Sequence, residues 1–229
     1  NQGTLKITAN TTFEAAANNA AVTFGTSAAK LAEVEIANGQ TMTVGDNISI
    51  YATKLFGTAV NGGVLTFLGN STFSAAADGN KIADINVNGA AGKVVKLLDV
   101  TSINGNAVVG AGTLEISNNF TAANLKAAVL DNGTVRFTNG AAMTVTANVG
   151  SLVNSLKDIE FAGGNVTFVG TVIHSAGKSF TFTDAAKAPA TVTFDANTNV
   201  GGNNFVNNTT KGLKHTVILG NLGVTDFAN

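Results

Sequence analysis

The stretch Asn10-Thr-Thr-Phe-Glu-Ala-Ala-Ala17 returns as Asn70-Ser-Thr-Phe-Ser-Ala-Ala-Ala77. Each copy follows a phrase of the form Gly-x-Leu-x-apolar, namely Gly3-Thr-Leu-Lys-Ile7 and Gly63-Val-Leu-Thr-Phe67. A third version reads Gly112-Thr-Leu-Glu-Ile-Ser-Asn-Asn-Phe-Thr-Ala-Ala123. Repetition over this range marks a unit that cannot bury its apolar face alone and stacks on copies of itself. A second phrase supports stacking. Leu31-Ala-Glu-Val-Glu-Ile-Ala-Asn-Gly39, Ile82-Ala-Asp-Ile-Asn-Val-Asn-Gly89 and Leu156-Lys-Asp-Ile-Glu-Phe-Ala-Gly-Gly164 share one pattern, and the second gap between copies is longer than the first. Such uneven spacing fits a solenoid with corners of variable length, built from a pair of rung types, better than a propeller with regular blades.

Between these phrases the apolar residues alternate. Leu5/Ile7, Val22/Phe24, Val34/Ile36, Leu65/Phe67, Ile85/Val87, Leu114/Ile116, Val135/Phe137, Ile159/Phe161, Val166/Phe168, Phe180/Phe182 and Val192/Phe194 each stand two apart. Period two puts one face inward and the other outward. Asn-Gly pairs at 38–39, 61–62, 88–89, 104–105, 132–133 and 139–140 supply sharp corners, because both residues tolerate positive φ. The pattern predicts short strands of about three to five residues. It also predicts an all-β, right-handed parallel β-helix of about ten rungs, each of about 20–25 residues, forming a rod about 50 Å long at the ordinary strand spacing. The alternative is an antiparallel β-sandwich or barrel, since Asn-Gly also closes hairpins. Very short strands and Asn-rich turns able to stack in ladders favour the helix. One α-helix is expected over Thr121–Leu130, capped by Thr121 and ended near Gly133, with helical turns near 14–21 and 74–77. No linker or charge run divides the chain, so residues 1–229 read as one domain.

Composition narrows the functional classes. Only 12% of residues are charged and 45% are hydrophobic, with 14 Phe, no Trp and one Pro. A net charge of −1 with 13 scattered Lys and Arg offers no basic stripe for nucleic acid. No apolar run reaches the length of about eighteen residues that a membrane-spanning helix needs. Cysteine is absent, which fits a protein exported unfolded. Starting at Asn1 without Met or signal peptide, the chain is expected to be a piece of a longer polypeptide, and its cut ends to favour end-to-end association. Asn-x-Ser/Thr occurs at Asn10, Asn70, Asn119, Asn165, Asn207 and Asn208, as an Asn- and Thr-rich composition gives by itself.

No motif calls for catalysis. His174 and His215 lie in separate strand phrases without partners at metal-ligand spacing, and read as partly exposed strand residues. There is no nucleophile elbow and no phosphate loop. The Gly pairs at 62–63, 163–164 and 201–202 read as turns. Asp158 and Glu160 share a strand face and form the one carboxylate pair to weigh for polysaccharide cleavage. Yet Glu33/Glu35 and Asp84/Asn86 recur at equivalent places, which points to a solvated outer face. The fourteen acidic residues do not fall at calcium-binding spacing. We therefore expect no enzyme, no catalytic or metal-binding residues, no cofactor and no small-molecule substrate; residues of a binding face are not nominated.

The phrases Gly112-Thr-Leu-Glu-Ile-Ser-Asn-Asn-Phe120, Gly63-Val-Leu-Thr-Phe-Leu-Gly-Asn-Ser-Thr-Phe73 and Asn165-Val-Thr-Phe-Val-Gly170 are similar to the idiom of bacterial autotransporter passenger regions. More closely, the chain resembles the rickettsial surface-antigen group of the outer membrane protein B type. The resemblance implies a β-helical passenger on the extracellular side of the outer membrane, held by a translocator barrel outside this stretch. It further implies an adhesin or invasion role in virulence, with a host-cell surface protein as partner. A structural stalk or coat segment is the alternative, and a carbohydrate-active β-helix enzyme the remote one.

Overall fold

The computed structural model describes residues 3–15, 19–77, 81–174, 178–183, 189–195, 198–199, 204–209 and 212–220. Every strand pairing among them is parallel. The fold is a parallel β-solenoid, and the antiparallel alternative is excluded. The advance per rung follows from register. Leu114 lies beside Val135, and Val135 beside Ile159, so these rungs have the length expected from sequence. The first rung is longer, with Thr11 beside Met42.

The pairings run in three columns, which we term faces 1 to 3. Face 1 strings Val22–Phe24, the first halves of Ile48–Gly57 and Ser71–Ala77, then Val94–Leu97, Thr113–Ile116, Asn132–Phe137, Leu156–Phe161, Ser179–Thr183 and Asn204–Asn208. Face 2 begins with Thr4–Ile7, Leu31–Ile36 and the second halves of Ile48–Gly57 and Ser71–Ala77. It is interrupted at 98–101 and resumes through the bridge Ser102–Thr121, Met143–Val149, Val166–Phe168, Thr191–Phe194 and Thr216–Leu219. Face 3 carries Thr11–Phe13, Thr41–Val44, Val64–Phe67, Asp84–Val87, Asn106–Val109, the ends of Phe120–Ala127 and Met143–Val149, Val172–Ile173 and Thr198–Asn199. Among the described residues, eight rungs visit all three faces, with part of a further rung before and after them, close to the number expected from sequence.

This arrangement explains the repeats. Gly3–Ile7, Gly63–Phe67 and Gly112–Ile116 lie on faces 2, 3 and 1, and the Asn phrases that follow lie on faces 3, 1 and 2. The Leu-x-x-Val-x-Ile phrases likewise occupy faces 2, 3 and 1. The repeated unit is one strand and one corner, a third of a rung, used on every face. Two fixed rung types, as the phrase spacing suggested, do not exist.

Alternation then builds the core. On face 1, Ile50, Phe73, Leu97, Ile116, Phe137, Phe161 and Phe182 stack in one buried column, and Val95, Leu114, Val135, Ile159 and Phe180 in the next. Phe137 is fully buried and meets Phe161 at 6.0 Å and Phe168 at 5.5 Å between ring centres. The chain of rings continues from Phe168 to Phe194 at 5.2 Å and from Phe180 to Phe205 at 4.9 Å. Glycine appears where rungs touch. Gly63, at φ +76, would set a Cβ 2.6 Å from that of Ile36 on the rung below.

Four local expectations change. Thr121–Leu130 is not a helix; Phe120–Ala127 is a strand that turns between Thr121 and Asn124, because Phe120 and Leu125 stack inward on Val145 and Val149. Its Ala122 and Ala127 are core residues of the same strand rather than helix formers. Residues 74–77 also belong to a strand, while 16–18 of the proposed helical turn at 14–21 lie outside the described residues. Strands exceed the expected length where they run unbroken from one face to the next, the longest being Ile48–Gly57 with 10 residues. Asn132-Gly133 opens the strand Asn132–Phe137 instead of forming a separate turn; Gly201-Gly202 lies outside the described residues.

Phe137→Ala removes the ring at the centre of this stack and is expected to lower unfolding free energy by about 3–5 kcal/mol in a urea titration. Phe24→Ala, at the half-buried first rung, should lower it far less. A loss under about 1 kcal/mol at Phe137 contradicts the packing described.

Candidate interaction surface

The outward positions also form columns, and there the stacked groups are polar. On face 1, Lys96, Glu115, Arg136 and Glu160 lie one above another. Arg136 donates from Nε to Glu160 at 2.5 Å and from a terminal nitrogen to Glu115 at 3.0 Å, with Lys96 4.0 Å from Glu115. Burial pulls the pKa of Arg136 down, but the two carboxylates outweigh it and raise it above its ordinary value. On face 2, Lys6 pairs with Glu35 at 2.9 Å. On face 3, Asp84, Asn106, Asn124 and Asn148 form a ladder. Asn106 donates its backbone N–H and its Nδ2 to Asp84 Oδ1 at 2.6 and 3.2 Å, and Asn124 Nδ2 donates to Asn106 Oδ1 at 2.8 Å.

The repeated Asn has a definite task. Asn10, Asn70, Asn119 and Asn165 each stand just before a strand, where the ladder has not begun. Each side-chain Oδ1 accepts the backbone N–H of the aligned residue one rung on: Thr41 at 2.8 Å, Val94 at 2.9 Å, Thr144 at 2.8 Å and Thr191 at 2.7 Å. These four Asn-x-Ser/Thr sites are therefore corner residues whose carboxamides already serve the backbone. Clamps reinforce two corners. Asp46 accepts from Lys93 at 2.6 Å and from the Asn70 N–H at 2.6 Å, and these contacts hold its carboxyl below the usual range. Asp99 accepts from the Ser74 hydroxyl and from Lys30 at 3.1 Å, and is lowered in the same way. The second clamp fixes the segment 98–101 where face 2 is interrupted.

Among the described residues, four of the exposed aliphatic side chains gather at one corner. Val129 and Leu130 occupy the corner after face 3, and Leu152 and Val153 occupy the same corner one rung on. Their exposures are 57%, 50%, 76% and 71%. The two corners are joined: Asn154 Nδ2 donates to the Ala128 carbonyl at 3.2 Å, and the Asp131 N–H to the Ser155 carbonyl at 2.9 Å. The sequence held a signal for them. Val129-Leu130 and Leu152-Val153 are adjacent apolar pairs, out of step with the period of two, although the first pair was assigned to the end of the expected helix.

The residues weighed for chemistry fall elsewhere. Asp158 and Glu160 share the outer side of face 1, as alternation required. Glu160 is tied to Arg136, and Lys157 lies 3.8 Å from Asp158. This outer face is less solvated than expected, since the ladder leaves the Glu115 and Glu160 side chains only 15% and 20% exposed. His174 is not partly exposed but buried, with Nε2 donating to the Ser179 carbonyl at 3.3 Å and its ring against Phe180. His215 stacks on Phe182 at 4.2 Å, and its Nδ1 accepts the Ala190 N–H at 3.1 Å. Burial lowers the pKa of both imidazoles.

No family model matches the chain, and no solved structure matches it significantly. The curated relatives agree with one another. The chain is similar to part of rickettsial outer membrane protein B. It is 33% identical to that protein of Rickettsia japonica over 170 residues, 69% of this chain and 10% of the relative. The Rickettsia rickettsii protein is 34% identical over 133 residues, 55% of this chain and 8% of the relative. The Rickettsia prowazekii protein is 31% identical over 159 residues, 63% of this chain and 9% of the relative. The resemblance read from the repeat phrases is borne out, and the chain spans about a tenth or less of the length of the relatives it matches.

The histidines predict a pH dependence. Both are held neutral in the fold, so the unfolded chain binds more protons as pH falls below the ordinary histidine value of about 6.5. Stability is full above that value and is lost as pH falls from there towards the lowered folded values. Protonating His215 also removes the acceptor that the Ala190 N–H requires. His174→Phe with His215→Phe should flatten the stability profile between about pH 7 and 5, followed by thermal unfolding. An unchanged slope in the double variant contradicts this assignment.

Proposed function

We propose that this chain is a stretch of a surface-displayed autotransporter passenger, lying on the extracellular side of the outer membrane, that acts as an adhesin for a host-cell protein. The observation that carries the reading is the apolar corner formed by Val129, Leu130, Leu152 and Val153. Exposed aliphatic groups gathered at one corner, where Val60, Leu68, Val169, Val206 and Ile218 are exposed at separate places, are the mark of an interaction site. The similarity to outer membrane protein B supports display at the cell surface. The solenoid supports recognition through an extended side rather than a pocket. The proposed role makes and breaks no covalent bonds, in keeping with outward carboxylates engaged in ladder pairs.

A second reading, a stalk or coat segment, is favoured by a different observation. Lys96, Glu115, Arg136 and Glu160 satisfy one another, so the charged part of face 1 serves cohesion between rungs. The two readings part on one experiment. The folded chain should bind host cells saturably. Leu130→Ser with Leu152→Ser should weaken that binding by about 2 kcal/mol, roughly thirtyfold, if these residues are anchors. Unfolding free energy should stay within about 0.5 kcal/mol, as for other exposed positions. A folded wild-type chain that binds no cells supports the stalk; full binding by the double variant removes the apolar corner from the account.

A further inference from the structure

The six Asn-Gly pairs raise a chemical question that the fold answers unequally. In such a pair the backbone nitrogen of Gly can attack the Asn side-chain carbonyl. The new N–Cγ bond closes a five-membered succinimide, the Cγ–Nδ2 bond breaks, ammonia leaves, and the Gly nitrogen gives up its proton. Water then opens the ring at either carbonyl, leaving aspartate or isoaspartate. The reaction requires rotation about the Asn backbone, an unengaged Gly nitrogen and access to water.

Five pairs are restrained. The Gly62 N–H donates to the Ala59 carbonyl at 2.9 Å, and the Gly105 N–H to the Ala83 carbonyl at 2.7 Å. The Gly133 N–H is held at 3.0 Å by Oδ1 of Asn132, at the start of a strand. Asn139 is buried, and its Nδ2 donates to the Asn165 carbonyl at 3.3 Å. Asn88 is exposed, but Gly89 is buried, with its Cβ position 3.1 Å from Lys93 Cβ. Asn38-Gly39 differs. Both residues are exposed, Gly39 has φ +72, and a Cβ built there meets nothing within 4 Å. The turn is closed by the Gln40 N–H on the Ala37 carbonyl at 3.0 Å, and the Asn38 N–H rests on Thr58 Oγ1 at 2.9 Å. Neither contact engages the Asn38 carboxamide or the Gly39 nitrogen. Asn38 also takes no part in the ladders that occupy Asn10, Asn70, Asn106, Asn119 and Asn124.

We propose that Asn38-Gly39, at the corner between faces 2 and 3, is the self-modification site of the folded chain, converting to isoaspartate and aspartate through a succinimide. Its product places a carboxylate on an outer corner of a chain whose net charge is only −1. Hydroxylamine, which cleaves succinimides, is the probe. The folded chain treated with hydroxylamine should be cut at one place, into fragments 1–38 and 39–229, while the chain unfolded in denaturant should be cut at all six pairs. Peptide mapping after prolonged incubation without hydroxylamine should show loss of the Asn38 amide before any other Asn-Gly amide. Gly39→Ala, which hinders attack by the nitrogen, should protect the site. A folded chain cut first at another pair, or one in which Asn38 survives as long as Asn139, overturns the proposal.

Discussion

Each paired strand residue of this coil sits on the residue that occupies its place one rung away, at the parallel strand spacing of about 4.8 Å. That in-register contact is the constraint from which the rest follows. A column must be filled by groups that tolerate close neighbours of their own kind or of complementary kind. Inside, the solution is aliphatic side chains with single rings such as Phe73 among them and, from Phe137 onward, ring on ring. Outside, like charges directly apposed would destabilise the sheet. The face 1 column instead reads Lys96, Glu115, Arg136, Glu160, with opposite signs in contact. Carboxamides solve the same problem without charge, since Asn both donates and accepts along the stack.

Corners are the difficult part of such a coil. Backbone N–H groups there lie outside the strand ladder, and a buried or half-buried donor left unpaired is costly. Asn10, Asn70, Asn119 and Asn165 meet this need by reaching across to the next rung. The phrase that repeats most visibly is therefore a corner device. It recurs on all three faces because all three have the same backbone problem.

This explains what was legible in the chain and what was not. The eleven alternating pairs chosen from sequence all lie in strands, because burial on one side imposes period two whichever face a strand joins. The rung itself was hidden, since phrases from different faces look alike and their separations mix whole rungs with thirds. Thr121–Leu130 read as a helix because Ala and Leu favour one locally, yet the stacking of Phe120 and Leu125 on the next rung outweighed that preference. The outward carboxylates were placed on the right side, but the partners that cover them come from strands a full rung away and follow only from register. The apolar corner escaped notice because neither of its pairs is unusual alone; their apposition on adjacent rungs makes the patch.

Surface function then depends on what the ladders leave over. Groups that satisfy one another along a column hold the rod together, and the apolar corner stands outside those columns. The register itself can be tested directly, because the chain contains no cysteine. Thr167 and Thr193 are aligned neighbours on face 2 with outward side chains. Thr167→Cys with Thr193→Cys should form a disulfide under mild oxidation, since aligned strand neighbours fall within the Cα separation of about 4.4–6.8 Å that a disulfide spans. Thr167→Cys with Thr191→Cys, two positions out of register, should stay reduced. Cross-linking of the second pair in preference to the first would contradict the stacked register on which this account rests.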